Sequence, residues 1–103
     1  QEGDVAVVSA AGEIDVFTAA DLDAHLASLQ ESGSINLVVD LTRVAFLDST
    51  GLGVLVKALK RARDVRGWIR LVVTTDRIRK IFDITGLDAS MPIFDTVEAA
   101  VAN

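Results

Sequence analysis

The chain has 103 residues, a length that fits one domain, and a formal net charge of −5 that argues against general affinity for nucleic acid. Half its residues are hydrophobic, enough for a single core without covalent staples. With no cysteine and one histidine, it excludes disulfides and thiolate metal sites and makes a zinc site improbable.

Taken in order, Val5-Ala6-Val7-Val8-Ser9-Ala10 is expected to form a strand that enters a turn at Gly12-Glu13-Ile14-Asp15. Thr18 then stands as an N-cap, with Asp21 at the third helical position where a capping box carries Glu. Phe17, just ahead of the cap, is placed to pack on Leu22 as a hydrophobic staple. Leu22, Leu26 and Leu29 line the buried stripe, and Gly33 ends the helix. Asn36 to Leu41 is the most apolar segment. Its consecutive Leu37, Val38 and Val39 predict burial on both faces, as in a central parallel strand. A turn is expected at Asp40-Leu41-Thr42-Arg43, followed by a second apolar run, Val44-Ala45-Phe46-Leu47.

That run stops at Asp48-Ser49-Thr50-Gly51, and the period changes. Leu52, Leu55, Val56, Leu59 and Ala62 recur at helical spacing, with Lys57, Lys60, Arg61 and Asp64 opposite, in a helix expected to run from Ser49 to near Gly67. Trp68 to Val73 reads as the next strand. Thr75 or Asp76 caps a helix with Ile78, Ile81 and Phe82 inward and Gly86 at its C-cap. Met91-Pro92 marks a loop, Ile93-Phe94 a short edge strand, and Asp95 with Glu98 a capping pair for a last helix through Val97, Ala100 and Val101. Strand and helix alternate four times, which predicts an α/β fold: a mainly parallel sheet of about four strands with about four helices packed on it.

The hydroxyls of Ser49 and Thr50 sit where a helix begins, among unpaired N–H groups and the positive end of the helix dipole. Asp48, Ser49 or Thr50 can cap those donors, and a phosphate on Ser49 would be tolerated there. Gly51 and Gly53 leave room for a partner's backbone, although the same residues serve equally as an N-cap followed by glycines that ease packing. Catalytic machinery is missing. Gly51-Leu52-Gly53 lacks the third glycine of a dinucleotide fingerprint, and no Gly-Lys-Ser/Thr follows it. Ser49 lacks the Gly-x-Ser-x-Gly setting of a hydrolase, and His25 falls mid-helix. Asp15 and Asp23 do not form an acid–base pair: one is at a turn, the other away from the Leu22–Leu26 stripe. The expectation is a non-enzyme with no catalytic residues, no metal and no cofactor.

Apart from Arg43, every basic residue lies between Lys57 and Lys80. A solvated helix face is expected there, with Asp64 paired to Lys60 and Arg61; a patch for an acidic partner is the functional alternative. No apolar run approaches the roughly 18–20 residues of a membrane span, and no signal peptide or lipidation motif is visible. A reducing cytoplasm is the expected location.

Asp48-Ser49-Thr50-Gly51-Leu52-Gly53, preceded by Val44-Ala45-Phe46-Leu47, resembles the signature of bacterial anti-sigma factor antagonists, which are STAS domains. Gly12-Glu13-Ile14-Asp15 with Thr18 resembles a second signature of that family, and Ile81-Phe82-Asp83-Ile84-Thr85-Gly86-Leu87 a third. All three lie in the family's order and together span most of the chain, so residues 1–103 are expected to be a single STAS domain. STAS domains usually begin with one more strand, paired to the Val5–Ala10 segment; here that first strand is unaccounted for before Gln1 and leaves a sheet edge.

The resemblance implies a function. Antagonists of this family bind an anti-sigma factor that is also a serine kinase, so that the sigma factor is released. The kinase phosphorylates the serine of the Asp-Ser motif and the complex dissolves; a metal-dependent, PP2C-type protein phosphatase restores the binding form. Carried onto this chain, the phosphoacceptor is Ser49. Asp48 holds the loop, Thr50 flanks the acceptor, Asp15 and Thr18 form the neighbouring lip, and Gly51, Leu52 and Gly53 belong to the contact surface. The implied partners are the kinase and the phosphatase, with neither nucleic acid nor membrane among them and a weak homodimer as a further association. The competing expectation keeps the fold without the switch, since STAS domains also serve as transporter tails, scaffolds and lipid-transport subunits.

Overall fold

Leu37, Val38 and Val39 are all fully buried, the two-sided burial that a run of consecutive apolar residues requires of a central strand. The computed structural model describes residues 5–103. Its elements follow the expected alternation: β1 (Val5–Ile14), α1 (Ala19–Glu31), β2 (Asn36–Leu47), α2 (Ser49–Asp64), β3 (Trp68–Val72), α3 (Asp76–Thr85), β4 (Ile93–Phe94) and α4 (Val97–Ala102), with a 3-10 turn at Leu87–Ala89. The four strands are all parallel and lie in the order β1-β2-β3-β4. Among the described residues β1 is an outer strand, and the additional first strand that the resemblance implies falls outside them.

One face of the sheet carries the main core, in which α1 gives Leu22 and Leu26, α2 gives Leu55 and Leu59, and α3 gives Ile78 and Phe82. The opposite face carries a smaller cluster, in which Ala100 of α4 packs with Val38 and Val72 of the sheet. In α2 the buried stripe is Val54, Leu55, Ala58, Leu59 and Ala62; Leu52 and Val56, expected in it, are only half-buried. Gln30 of α1 ties the two helices, its Nε2 donating to the Ala58 carbonyl at 2.9 Å and its Oε1 accepting from Arg61 Nε at 2.7 Å.

Four expectations are corrected. Gly12-Glu13-Ile14 is not a turn but the end of β1, paired with Val44, Phe46 and Leu47. Asp40-Leu41-Thr42-Arg43 is not a turn either: β2 runs through it. Leu41 and Thr42 lie between the partners of Ser9 and Ala11, and Ala45 between those of Gly12 and Glu13, so β2 has two bulges where β1 has none. Thr42 N–H donates to Asp40 Oδ1 at 3.0 Å, a local turn bond kept inside a strand. Phe17 is no staple, because it is 84% exposed. At α4 the cap is Thr96, whose hydroxyl accepts from Ala99 N–H at 3.1 Å, while Asp95 instead meets Arg79 at 2.7 Å.

Candidate functional site

Parallel pairing of β1 with β2 brings their C-terminal ends together, Ile14 opposite Leu47, and Asp48 N–H donates to the Ile14 carbonyl at 3.2 Å. The loop after β1 and the first turn of α2 are therefore neighbours, which puts Asp15–Thr18 beside Asp48–Thr50.

At the start of α2, Asp48 is the N-cap. Its Oδ1 accepts from Thr50 N–H at 2.9 Å and from Gly51 N–H at 3.2 Å, satisfying two of the free donors of the first turn. Of the three residues able to cap, Asp48 does so, and the side chains of Ser49 and Thr50 are left exposed. The Ser49 hydroxyl thus stands at the positive end of a 16-residue helix.

The two glycines that follow have opposite meanings. Gly51 is buried, and a Cβ on it would come within 2.5 Å of Leu47 Cδ1 and 2.8 Å of Ile14 Cγ2. It lets α2 seat on the strand ends and presents nothing to a partner, so the expectation that it belongs to the contact surface is corrected by packing. Leu52 likewise turns half into the core. Gly53 is exposed, and a Cβ on it would meet nothing within 4 Å. A glycine inside a helix costs about 1 kcal/mol relative to alanine, and nothing in the fold requires this one.

In the lip, Asp15 and Thr18 act on their own loop. Asp15 Oδ1 accepts from Phe17 N–H at 2.9 Å and from Thr18 N–H at 3.1 Å. Thr18 Oγ1 donates to the Glu13 carbonyl at 2.7 Å and accepts from Asp15 N–H at 2.9 Å. Those bonds occupy the hydroxyl, so the capping box expected with Asp21 does not form; Thr18 has no side-chain cap bond to the helix. The N–H groups of Thr18 and then Phe17 hold the Asp15 carboxyl below the usual aspartate range. What the tied loop presents is its middle: Val16 is 63% and Phe17 84% exposed.

Between lip and helix lies an open groove of about 550 Å³. Ser49, Thr50 and Gly53 line it from α2, and Val16, Ala19 and Ala20 from the lip and α1. At its far end Asp23 accepts from Lys57 Nζ at 3.0 Å and lies 3.4 Å from an Arg61 nitrogen. Lys57 first, then Arg61, keeps the Asp23 carboxyl below its ordinary range against the opposing effect of partial burial. The basic side of α2 therefore pairs across to α1; the bridges expected between Asp64 and Lys60 or Arg61 are not among the ion pairs of the described residues.

The sequence-derived set thus gathers at one end of the sheet, with Ser49, Thr50 and Gly53 on the surface and Asp15, Thr18 and Asp48 holding it in shape. Val16, Ala19 and Ala20 escaped sequence reasoning, and Phe17 reads there as a staple instead of an exposed residue. The one signal is the apolar pair Val16-Phe17 bracketed by Asp15 and Thr18, which reads as a helix entry. His25 is exposed on α1, and among the described residues no group of three or more His, Cys, Asp or Glu is placed to hold a metal ion. No helix of the described residues is long and apolar enough to cross a membrane.

Residues 1–100 match the family model described as STAS domain. An anti-sigma-B factor antagonist of Listeria monocytogenes is 44% identical over 77 residues, which cover 75% of this chain and 68% of the relative. An anti-sigma-B factor antagonist of Staphylococcus aureus is 34% identical over 91 residues, covering 88% of this chain and 84% of the relative. The crystal structure of an anti-sigma factor antagonist from Mycobacterium paratuberculosis superimposes with a TM-score of 0.89 at 31% identity, covering 99% of this chain and 86% of that one.

Proposed function

The chain belongs to the STAS domain family, and we propose that within it the chain is an anti-sigma factor antagonist switched by phosphorylation of Ser49. In this reading the unmodified chain docks on an anti-sigma factor that is also a serine kinase and so frees a sigma factor. Phosphorylation of Ser49 ends the complex, and a PP2C-type phosphatase resets it. The chain is then a kinase substrate and not a catalyst, acting in the cytoplasm where transcription is controlled. The names of its relatives support the antagonist role.

One observation carries the switch: the Ser49 hydroxyl is exposed at the N-terminus of α2 while the neighbouring Asp48 does the capping. Cap and acceptor are different residues, so modifying the acceptor does not remove the cap. Magnitudes then separate fold from binding. A phosphate adds roughly −2 charge, which the helix dipole favours by about 0.3–1 kcal/mol. Buried at an interface without a countercharge, the same group costs several kcal/mol, and about 1.4 kcal/mol is tenfold in affinity. The interface cost dominates.

The test compares wild type, Ser49→Ala and Ser49→Asp for binding to the purified anti-sigma factor kinase and for melting. Ser49→Ala is expected to bind but not to be phosphorylated. Ser49→Asp is expected to lose binding with its Tm little changed, and Thr50→Ala to remain a kinase substrate. Equal binding by Ser49→Asp and wild type would remove the switch.

A further inference from the structure

The groove between α1 and α2 has a chemical polarity that specifies more of its occupant than the Ser49 hydroxyl does. Away from its two ends the lining is small and apolar: Val16, Ala19, Ala20, Val54 and the bare backbone at Gly53. At its far end two cations, Lys57 and Arg61, share the single carboxylate of Asp23, and Lys57 remains 61% exposed. That end therefore carries a surplus positive charge. Ser49 lies eight residues back along α2, about 12 Å at the helical rise, beside the carboxylate of Asp48.

We propose that the occupant is an amphipathic segment of the anti-sigma factor that lays an apolar side chain over Gly53 and sets a carboxylate against Lys57. This rests on the antagonist reading above and gives it a recognition chemistry. Charge complementarity selects an acidic segment: the surplus cation draws the carboxylate, and close approach to the helix backbone at Gly53 lets the apolar side chain seat. The same polarity explains why a phosphate expels it. A dianion on Ser49 joins Asp48 at one end of the groove and repels an acidic segment drawn there by the other. Gly53, which the fold does not require, is thereby a specificity-determining residue of the interface.

The experiment measures the Kd of the purified anti-sigma factor kinase for wild type, Gly53→Leu, Lys57→Arg and Lys57→Glu, each at low and high salt, with melting curves alongside. Gly53→Leu is expected to melt at or above the wild-type temperature, since a helix former replaces glycine, yet to bind about 100-fold more weakly because its side chain fills the groove. Lys57→Glu is expected to bind about tenfold more weakly at low salt, with the difference shrinking as salt screens the pair, whereas Lys57→Arg stays within about twofold. Unchanged binding in Gly53→Leu and Lys57→Glu, with wild type binding, would overturn the groove and leave the antagonist reading standing. No binding by wild type would overturn both. Self-association of wild type that Gly53→Leu abolishes would hand the groove to a second copy of the chain and overturn the proposal too.

Discussion

Asp15 and Asp48 stand at the ends of adjacent strands and both spend their carboxylates on backbone N–H groups, with different results. Asp48 closes the first turn of α2 and holds a rigid helix end beside Ser49. Asp15 closes a loop too short to have a core of its own, and its bonds to Phe17 and Thr18 keep two exposed apolar side chains in place. The lip's order is therefore sensitive to protonation. The tied loop lowers the Asp15 pKa, so the ordering it provides is fully present above the unfolded value, about 3.9, and is lost as pH falls through the lower folded value. In an NMR titration the Phe17 and Thr18 amide protons should shift together with a midpoint below about 3.9, and Asp15→Asn should abolish the step. A midpoint at or above that value would mean that the carboxylate does not hold the loop.

At the scale of elements, the end of α2 shows what sequence signals conceal. Gly67 reads as the glycine that stops the helix, yet Arg66 takes the left-handed conformation, with φ 62°. Arg66 N–H donates to the Arg63 carbonyl at 3.1 Å and Gly67 N–H to that of Ala62 at 2.7 Å, a Schellman closure one residue earlier than expected. Gly67 is required for another reason: a Cβ on it would fall on the Ile35 carbonyl oxygen. Arg66→Gly should thus raise stability by about 0.5–1 kcal/mol by relieving the left-handed arginine. Gly67→Ala should lower it by about 2–4 kcal/mol, since backbone must move. Urea melts of both check the assignment, and a milder loss for Gly67→Ala than for alanine at Arg66 would reverse it. The same limit explains the other misreadings. Periodicity and turn chemistry located the four α-helices and, with β2 broken by a false turn, the four strands of the described residues, because apolar spacing and capping residues are local. The bulge at Leu41-Thr42 imitates a turn locally and differs only in having a partner strand, and Thr18 bonds back to Glu13 rather than into its helix. Ser49 was legible because a helix start is a local feature; the groove was not, because half of it belongs to α1.

Across the whole molecule, the sheet keeps two tasks apart. The face bearing α1 and α2 carries Ser49, the lip and the groove; the opposite face is closed by α4, through the apolar cluster of Val38, Val72 and Ala100 and one cation beside it. Arg70, on β3, lies 3.7 Å above the centre of the Trp68 ring and 5.9 Å from that of Phe94, and its Nη1 donates to the Ala100 carbonyl of α4 at 2.9 Å. One planar guanidinium thus sits over Trp68, within cation–π reach of Phe94, and anchors a six-residue helix too short to persist unaided. Arg70→Ala should cost about 1–3 kcal/mol. Arg70→Lys should recover only part of it, because an ammonium keeps the charge but not the guanidinium plane. Trp68 is the sole tryptophan, so its fluorescence in urea reports the loss directly. If the two faces are independent, Arg70→Ala shifts that transition while its folded form binds the anti-sigma factor as wild type does, and Ser49→Asp does the converse. A fall in affinity for Arg70→Ala under fully folding conditions would show instead that the faces are coupled through the strands between them.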